Sequence, residues 1–100
     1  MDKYAVKLYA RAYRDLEEIY SYIAENLSEH SIAEKIAAAL EDAIFSLELF
    51  PERGAPRRTG IYANHGYRQL FVKNYIIIYR VLNTEKEVHI VTVRHSLSSF

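Results

Sequence analysis

Three apolar runs rich in β-branched and aromatic residues follow one another between Gly66 and Phe100, and they constrain the fold more than any other stretch. The chain there reads Gly-Tyr-Arg-Gln-Leu-Phe-Val-Lys-Asn-Tyr-Ile-Ile-Ile-Tyr-Arg-Val-Leu, crosses a polar turn, and continues Val-His-Ile-Val-Thr-Val-Arg-His. This pattern predicts strands near Tyr67–Lys73, Tyr75–Leu82 and Glu87–Arg94. The first two are joined tightly around Lys73-Asn74 and the last two by Asn83-Thr84-Glu85-Lys86, which makes an antiparallel meander. A meander alone leaves an apolar face uncovered, so something in the first half must pack on it.

The first half supplies helices. Tyr4 to Tyr9 alternates as a short strand, with Tyr4, Val6 and Leu8 on one face. From about Ala10 the spacing changes to threes and fours through Ala12, Leu16, Ile19, Tyr20, Ile23 and Leu27, one apolar stripe on a helix. The polar stretch from Asn26 to His30 interrupts it. Ser31 with Glu34 is a capping-box pattern for a second helix, whose stripe runs through Ile32, Ile36, Leu40, Ala43, Ile44 and Leu47 until Phe50-Pro51 stops it. Two helices with so short a connection form a hairpin. The expected order is β-α-α-β-β-β, an α+β fold with a helical hairpin packed on an antiparallel sheet, as a single domain over residues 1–100. Residues 51–66 make a long irregular segment holding both prolines and all three glycines.

Composition narrows the function. There is no cysteine, which excludes disulfides and thiolate metal sites. No apolar stretch is long enough for a membrane span and no signal core follows the N-terminus, so a cytoplasmic location is expected. The zero net charge hides an asymmetry. Residues 1–50 carry five Lys/Arg against ten Asp/Glu, while residues 51–100 carry eight against three. Six basic residues and no acidic one lie from Arg53 to Arg80. Such a field favours an anionic partner.

Phosphate-binding loops, dinucleotide glycines and zinc-helix motifs are all missing. His30, His65, His89 and His95 share no metal-ligand spacing, so neither a metal nor another cofactor is expected. What remains is polar chemistry on the meander and its basic loop. Arg57, Arg58, Arg68, Arg80 and Arg94 are the candidate partner-binding residues, since guanidinium groups grip phosphates and carboxylates bidentately. Arg68, Arg94 and His95 are the candidates for catalysis, His95 as a general acid or base.

At this point the residues resemble the RelE/ParE superfamily of toxins from bacterial type II toxin–antitoxin modules. The likeness rests on Leu16, Ile19, Tyr22 and Ile23 in the first helix, then Leu49-Phe50-Pro51 with Gly54, then Gly66-Tyr67-Arg68. It continues through Phe71-Val72-Lys73-Asn74-Tyr75 and Ile78-Tyr79-Arg80-Val81 to Val88-x-Ile90-x-x-Val93. The resemblance implies a plasmid-stabilisation or addiction toxin neutralised by a cognate antitoxin in a hetero-oligomer. It implies one of two targets: DNA gyrase, inhibited by binding in ParE-like members, or the ribosome, where RelE-like members cut messenger RNA.

The nuclease pattern is broken here. Ile76 stands where an arginine is expected, and Tyr67 and Gln69 stand where lysines fall. The chain after Val93 reads Arg-His-Ser-Leu-Ser-Ser-Phe, without paired basic residues. An isoleucine cannot stabilise a developing phosphate charge. The resemblance therefore implies a ParE-like gyrase inhibitor first and a ribosome-dependent endoribonuclease second. The third alternative is a non-toxic homologue that only binds an antitoxin.

Overall fold

The computed structural model describes residues 3–98 and residue 100. Strand β1 (Ala5–Leu8) passes through Tyr9 into helix α1 (Ala10–Ser21), which runs on as one wider π turn over Tyr22–Asn26. Helix α2 (His30–Ser46) folds back against α1, and the chain then enters β2 (Ala55–Pro56), β3 (Tyr67–Val72), β4 (Tyr75–Leu82) and β5 (Glu87–His95). The five strands form one sheet in the order β1-β5-β4-β3-β2. The helical hairpin on a sheet and the three-strand antiparallel meander match the sequence expectation.

Three details differ from it. The sheet is mixed, because β1 pairs in parallel with β5, Ala5 opposite Glu87 and Leu8 opposite Ile90. Parallel neighbours need a long crossover, and the hairpin with the rest of the meander supplies it. The irregular segment contributes the two-residue edge strand β2, antiparallel to β3. Ser31 does not cap α2: that helix begins at His30, with Glu29 at the cap position and no side-chain cap. The reversal before it uses Ser28 in the left-handed region (φ 53°) and a bond from the Glu29 N–H to the Ile23 carbonyl at 3.2 Å.

The core lies between the hairpin and the sheet. Leu40, Ile44 and Leu47 of the second helical stretch meet Ile77, Tyr79, Val88 and Ile90, all fully buried or nearly so. Alternation along β4 sends Tyr75, Ile77, Tyr79 and Val81 towards the helices and Ile76 and Ile78 to the outer face. In β5 the alternation is broken by a bulge: Ile78 pairs with Thr92 and Tyr79 with Ile90, so Val91 is the extra residue. The bulge lets Val88, Ile90 and Val93 all reach the helix side while Val91 joins Ile76 and Ile78 outside.

Tyr79 joins this core to the irregular segment. Its ring is wholly buried, and its hydroxyl accepts the Gly54 N–H at 2.8 Å. Burial raises the phenol above its ordinary value, and the Gly54 bond only partly offsets that. Gly54 must be glycine: a Cβ there would collide with the Gln69 carbonyl and sit 2.8 Å from the Tyr79 hydroxyl. Gly54→Ala is therefore expected to lower stability by about 1–3 kcal/mol through overpacking. Tyr79→Phe, which strands a buried N–H, should cost about as much, roughly 1–3 kcal/mol. Urea denaturation checks both, and a change below about 0.5 kcal/mol, the range of an ordinary surface substitution, would reject this role for the pair.

Candidate functional site on the outer face of the sheet

The strand register builds the outer face row by row. Lys7 of β1 stands opposite His89 of β5, His89 opposite Arg80 of β4, and Arg80 opposite Tyr67 of β3. Residues directly paired across strands share a face, so these four side chains form one line across the sheet. Arg57 extends it, since its N–H donates to the Tyr67 carbonyl at 2.8 Å just past β2. A second row places Phe71, Ile76 and Arg94 side by side. The result is a cationic band over an apolar floor of Ile76, Ile78 and Val91.

Each guanidinium on this face is held differently. Arg57 is only 9% exposed, and its Nε donates to the Thr59 carbonyl at 2.9 Å, its Nη1 to Gln69 Oε1 at 2.8 Å and its Nη2 to the Phe100 main-chain oxygen at 3.2 Å. Arg94 donates from Nε to Thr92 Oγ1 at 3.1 Å and lies 5.3 Å from the centre of the Phe100 ring. Arg80 is exposed, with its guanidinium 5.7 Å from the Tyr67 ring centre. Flat cations against aromatic rings are oriented without being neutralised.

The other sequence candidates sit elsewhere. Arg68 points to the opposite side from Tyr67, donates to the Gly54 carbonyl at 2.6 Å and faces Glu52 at 3.9 Å, so it braces the loop. Arg58 is exposed and shares with Arg68 a shallow pocket of about 180 Å³ at the β2 edge. His95 lies edge-on to Tyr75 at 5.4 Å, with its Nδ1 accepting the Leu97 N–H. Alternation puts it on the other side of β5 from Arg94. The structure thus gathers Arg57, Arg80 and Arg94 on the outer face, sets Arg58 and Arg68 with Arg57 around the pocket at the β2 edge, and leaves His95 apart from both groups.

A cluster that the sequence did not reveal lies at the β1 end of the same band. His89 Nε2 is 2.9 Å from Glu87 Oε1, Tyr9 Oη is 3.1 Å from His89 Nδ1, and Lys7 Nζ is 2.7 Å from Glu87 Oε2. A carboxylate accepts only, so His89 donates from Nε2 to Glu87, and in that tautomer its Nδ1 accepts the Tyr9 O–H. The signal was the parallel pairing of β1 with β5, which no residue in β1 announces. Bonds from Lys7 and then His89 hold the Glu87 carboxyl below its ordinary range. Among the described residues no three His, Cys, Asp or Glu side chains converge to hold a metal ion.

The helix side offers a second concavity. A groove of about 350 Å³ runs between α1 and α2, floored by Leu16, Ile19, Ala33, Ala37 and Leu40 and rimmed by Glu17 and Glu41. Among the described residues no helix is long and apolar enough to cross a membrane.

Residues 6–100 match the family model described as the ParE toxin of the type II toxin–antitoxin system parDE. The chain belongs to the ParE toxin family. Among solved structures, the chromosomal ParDE toxin–antitoxin system of P. aeruginosa is similar at 22% identity and a TM-score of 0.75, covering 93% of this chain and 96% of that one. The RelBE2 toxin–antitoxin complex of Mycobacterium tuberculosis is similar at 27% identity and a TM-score of 0.71, covering 95% and 93%. A free E. coli RelE toxin variant shares the fold at 11% identity and a TM-score of 0.62, covering 95% and 85%. No curated protein sequence matches. ParE and RelE toxins share this α+β fold, so fold does not choose a target.

The Glu87 cluster gives a pH expectation. The folded carboxyl titrates lower than the unfolded one, so the ionised form favours folding. Its contribution is complete above the ordinary carboxylate range and is lost as pH falls through the depressed value. Glu87→Gln should remove that acid-side dependence and destabilise the protein at neutral pH. If the difference between wild type and variant in thermal unfolding is the same at neutral and at acidic pH, Glu87 is not the group responsible.

Proposed function

We propose that this ParE-family toxin acts by binding DNA gyrase rather than by cutting RNA. The observation that supports this most is the state of the outer face around Ile76. The centre of that face is an apolar floor with Phe100 resting on it, where phosphodiester cleavage needs groups that move protons and stabilise a phosphorane. His95, the general acid or base that the sequence offers, is turned to the other side of β5. Arg80 is exposed and oriented, which suits recognition of an acidic protein surface.

A cognate antitoxin is part of the same proposal, because the ParDE and RelBE2 relatives were solved as toxin–antitoxin systems. The interhelical groove suits an apolar helix or strand, and the cationic band suits an acidic segment. One observation favours the ribosomal alternative: the line of Lys7, His89, Arg80 and Arg57 could track an RNA backbone, and the RelBE2 relative is 27% identical. A non-toxic, antitoxin-binding homologue is the third reading.

Inducing the chain in bacteria without its antitoxin separates them. The gyrase reading expects DNA breaks, an SOS response and filamentation while translation continues. Arg80→Ala should raise the inducer level needed for growth arrest, with about a tenfold loss of target affinity for one charge-assisted contact. Immediate translation arrest with ribosome-positioned cuts in messenger RNA would overturn the proposal in favour of the nuclease, and unimpaired growth with soluble folded protein would favour the non-toxic reading.

A further inference from the structure

Phe100 is gripped from four separate parts of the chain. The Arg57 guanidinium lies 4.5 Å from its ring centre while Nη2 bonds its main-chain oxygen. Arg94 approaches the same ring, Tyr62 meets it edge-on at 6.4 Å, and Ile76, Ile78 and Val91 lie beneath it. Gly60, in the left-handed region at φ 77°, leaves the space that the Phe100 backbone fills, and a Cβ there would overlap its main-chain oxygen. A loop residue that is both left-handed and in contact with this backbone is a fitted seat.

Residues 96–98 are held lightly by comparison. The Ser96 N–H donates to the Asn74 carbonyl at 2.8 Å, the Ser98 N–H bonds only locally to His95, and Leu97 is 88% exposed. The Phe100 side chain itself stays partly exposed, unlike the fully buried strands under it. Few apolar contacts and an exposed connection are the marks of a segment that opens locally, well below the free energy of global unfolding.

We propose that Phe100 is a reversible latch, closed in this structure, which keeps Arg57 and Arg94 from anions and opens while the sheet stays folded. Opening leaves both guanidiniums aimed. Arg57 keeps its bonds to the Thr59 carbonyl and Gln69, and Arg94 keeps Thr92. What is released is the face of each cation and one free Arg57 N–H, beside the exposed Arg80. Closing covers a face of each guanidinium with the aromatic ring and engages one Arg57 N–H with the Phe100 main-chain oxygen, so the latch takes both cations off the accessible band. The inference is independent of which target the toxin has.

Arginine modification by phenylglyoxal, mapped by mass spectrometry, reads the latch directly. In the wild-type protein Arg57 should react more slowly than exposed Arg58 and Arg80, yet faster than the amides of Ile77 and Tyr79 exchange with deuterium. Phe100→Ala should speed Arg57 modification roughly tenfold, as expected for removing a cation–π contact and its apolar seat, with an unchanged circular dichroism spectrum. Gly60→Ala, whose Cβ would overlap the Phe100 main-chain oxygen, should do the same. Three results would overturn the proposal. Arg57 reacting only in step with β4 amide exchange would make Phe100 a fixed part of the core. Wild-type Arg57 reacting as fast as Arg58 would mean the latch is never closed, and unchanged Arg57 reactivity in folded Phe100→Ala would mean that Phe100 does not cover it. None of these readouts uses toxicity, so failure here leaves the gyrase proposal standing.

Discussion

A single carboxylate decides how the helical layer and the sheet meet. Strand β1 ends at Leu8, and Tyr9 makes the last main-chain bond along that edge, to the Ile90 carbonyl at 3.0 Å. Beyond it β5 stays paired with β4, but among the described residues no strand continues along the β1 edge. Asp15, one turn into α1, takes the strand's place: its Oδ2 accepts the Val93 N–H at 3.0 Å and the Thr92 hydroxyl. A buried N–H left without a partner costs about 1–3 kcal/mol, so this contact fixes the rotation of α1 about its axis and the height at which it crosses β5. The Thr92 oxygen also accepts from Arg94. The position of one arginine on the outer face is thereby tied to a residue of the first helix.

The division of labour between the two faces follows from that arrangement. The helix face buries branched aliphatic residues around Tyr79, and the hydrophobic effect supplies most of the stability there. The outer face carries a smaller apolar cluster and a band of cations, whose charges are oriented by rings and carbonyls rather than cancelled by carboxylates. At the β1 end a carboxylate, Glu87, does intervene, and there it organises Lys7, His89 and Tyr9. The ParDE and RelBE2 structures keep this fold at 22% and 27% identity, so the two-layer arrangement persists while most residues differ.

Much of the fold was legible because hydrophobic periodicity is a direct record of burial. Even the β5 bulge is written in the chain: Val88-x-Ile90-x-x-Val93 steps by two and then by three, and all three residues face the helices. The site was less legible. Arg57 and Arg68 look alike in sequence, yet one turns to the outer face and the other braces Gly54, because strand parity separates them. His89 shows no motif, and its neighbours come from β1, whose pairing partner lies some eighty residues on. The capping box failed for a local reason: left-handed Ser28 starts α2 two residues early and puts Ser31 inside its first turn.

The parallel pairing of Ala5–Leu8 with Glu87–Ile90 also sets an order of events. Helices and hairpins can form as soon as their own residues are available, in microseconds. The first strand cannot pair until nearly the whole chain has left the ribosome, and closing so long a loop lowers the folding rate. The Lys7–His89–Arg80 line spans that seam, so it is assembled last. A chain not yet extended through β5, or truncated before it, therefore lacks the full cationic band, and the complete surface exists only once Glu87–Ile90 have paired with Ala5–Leu8.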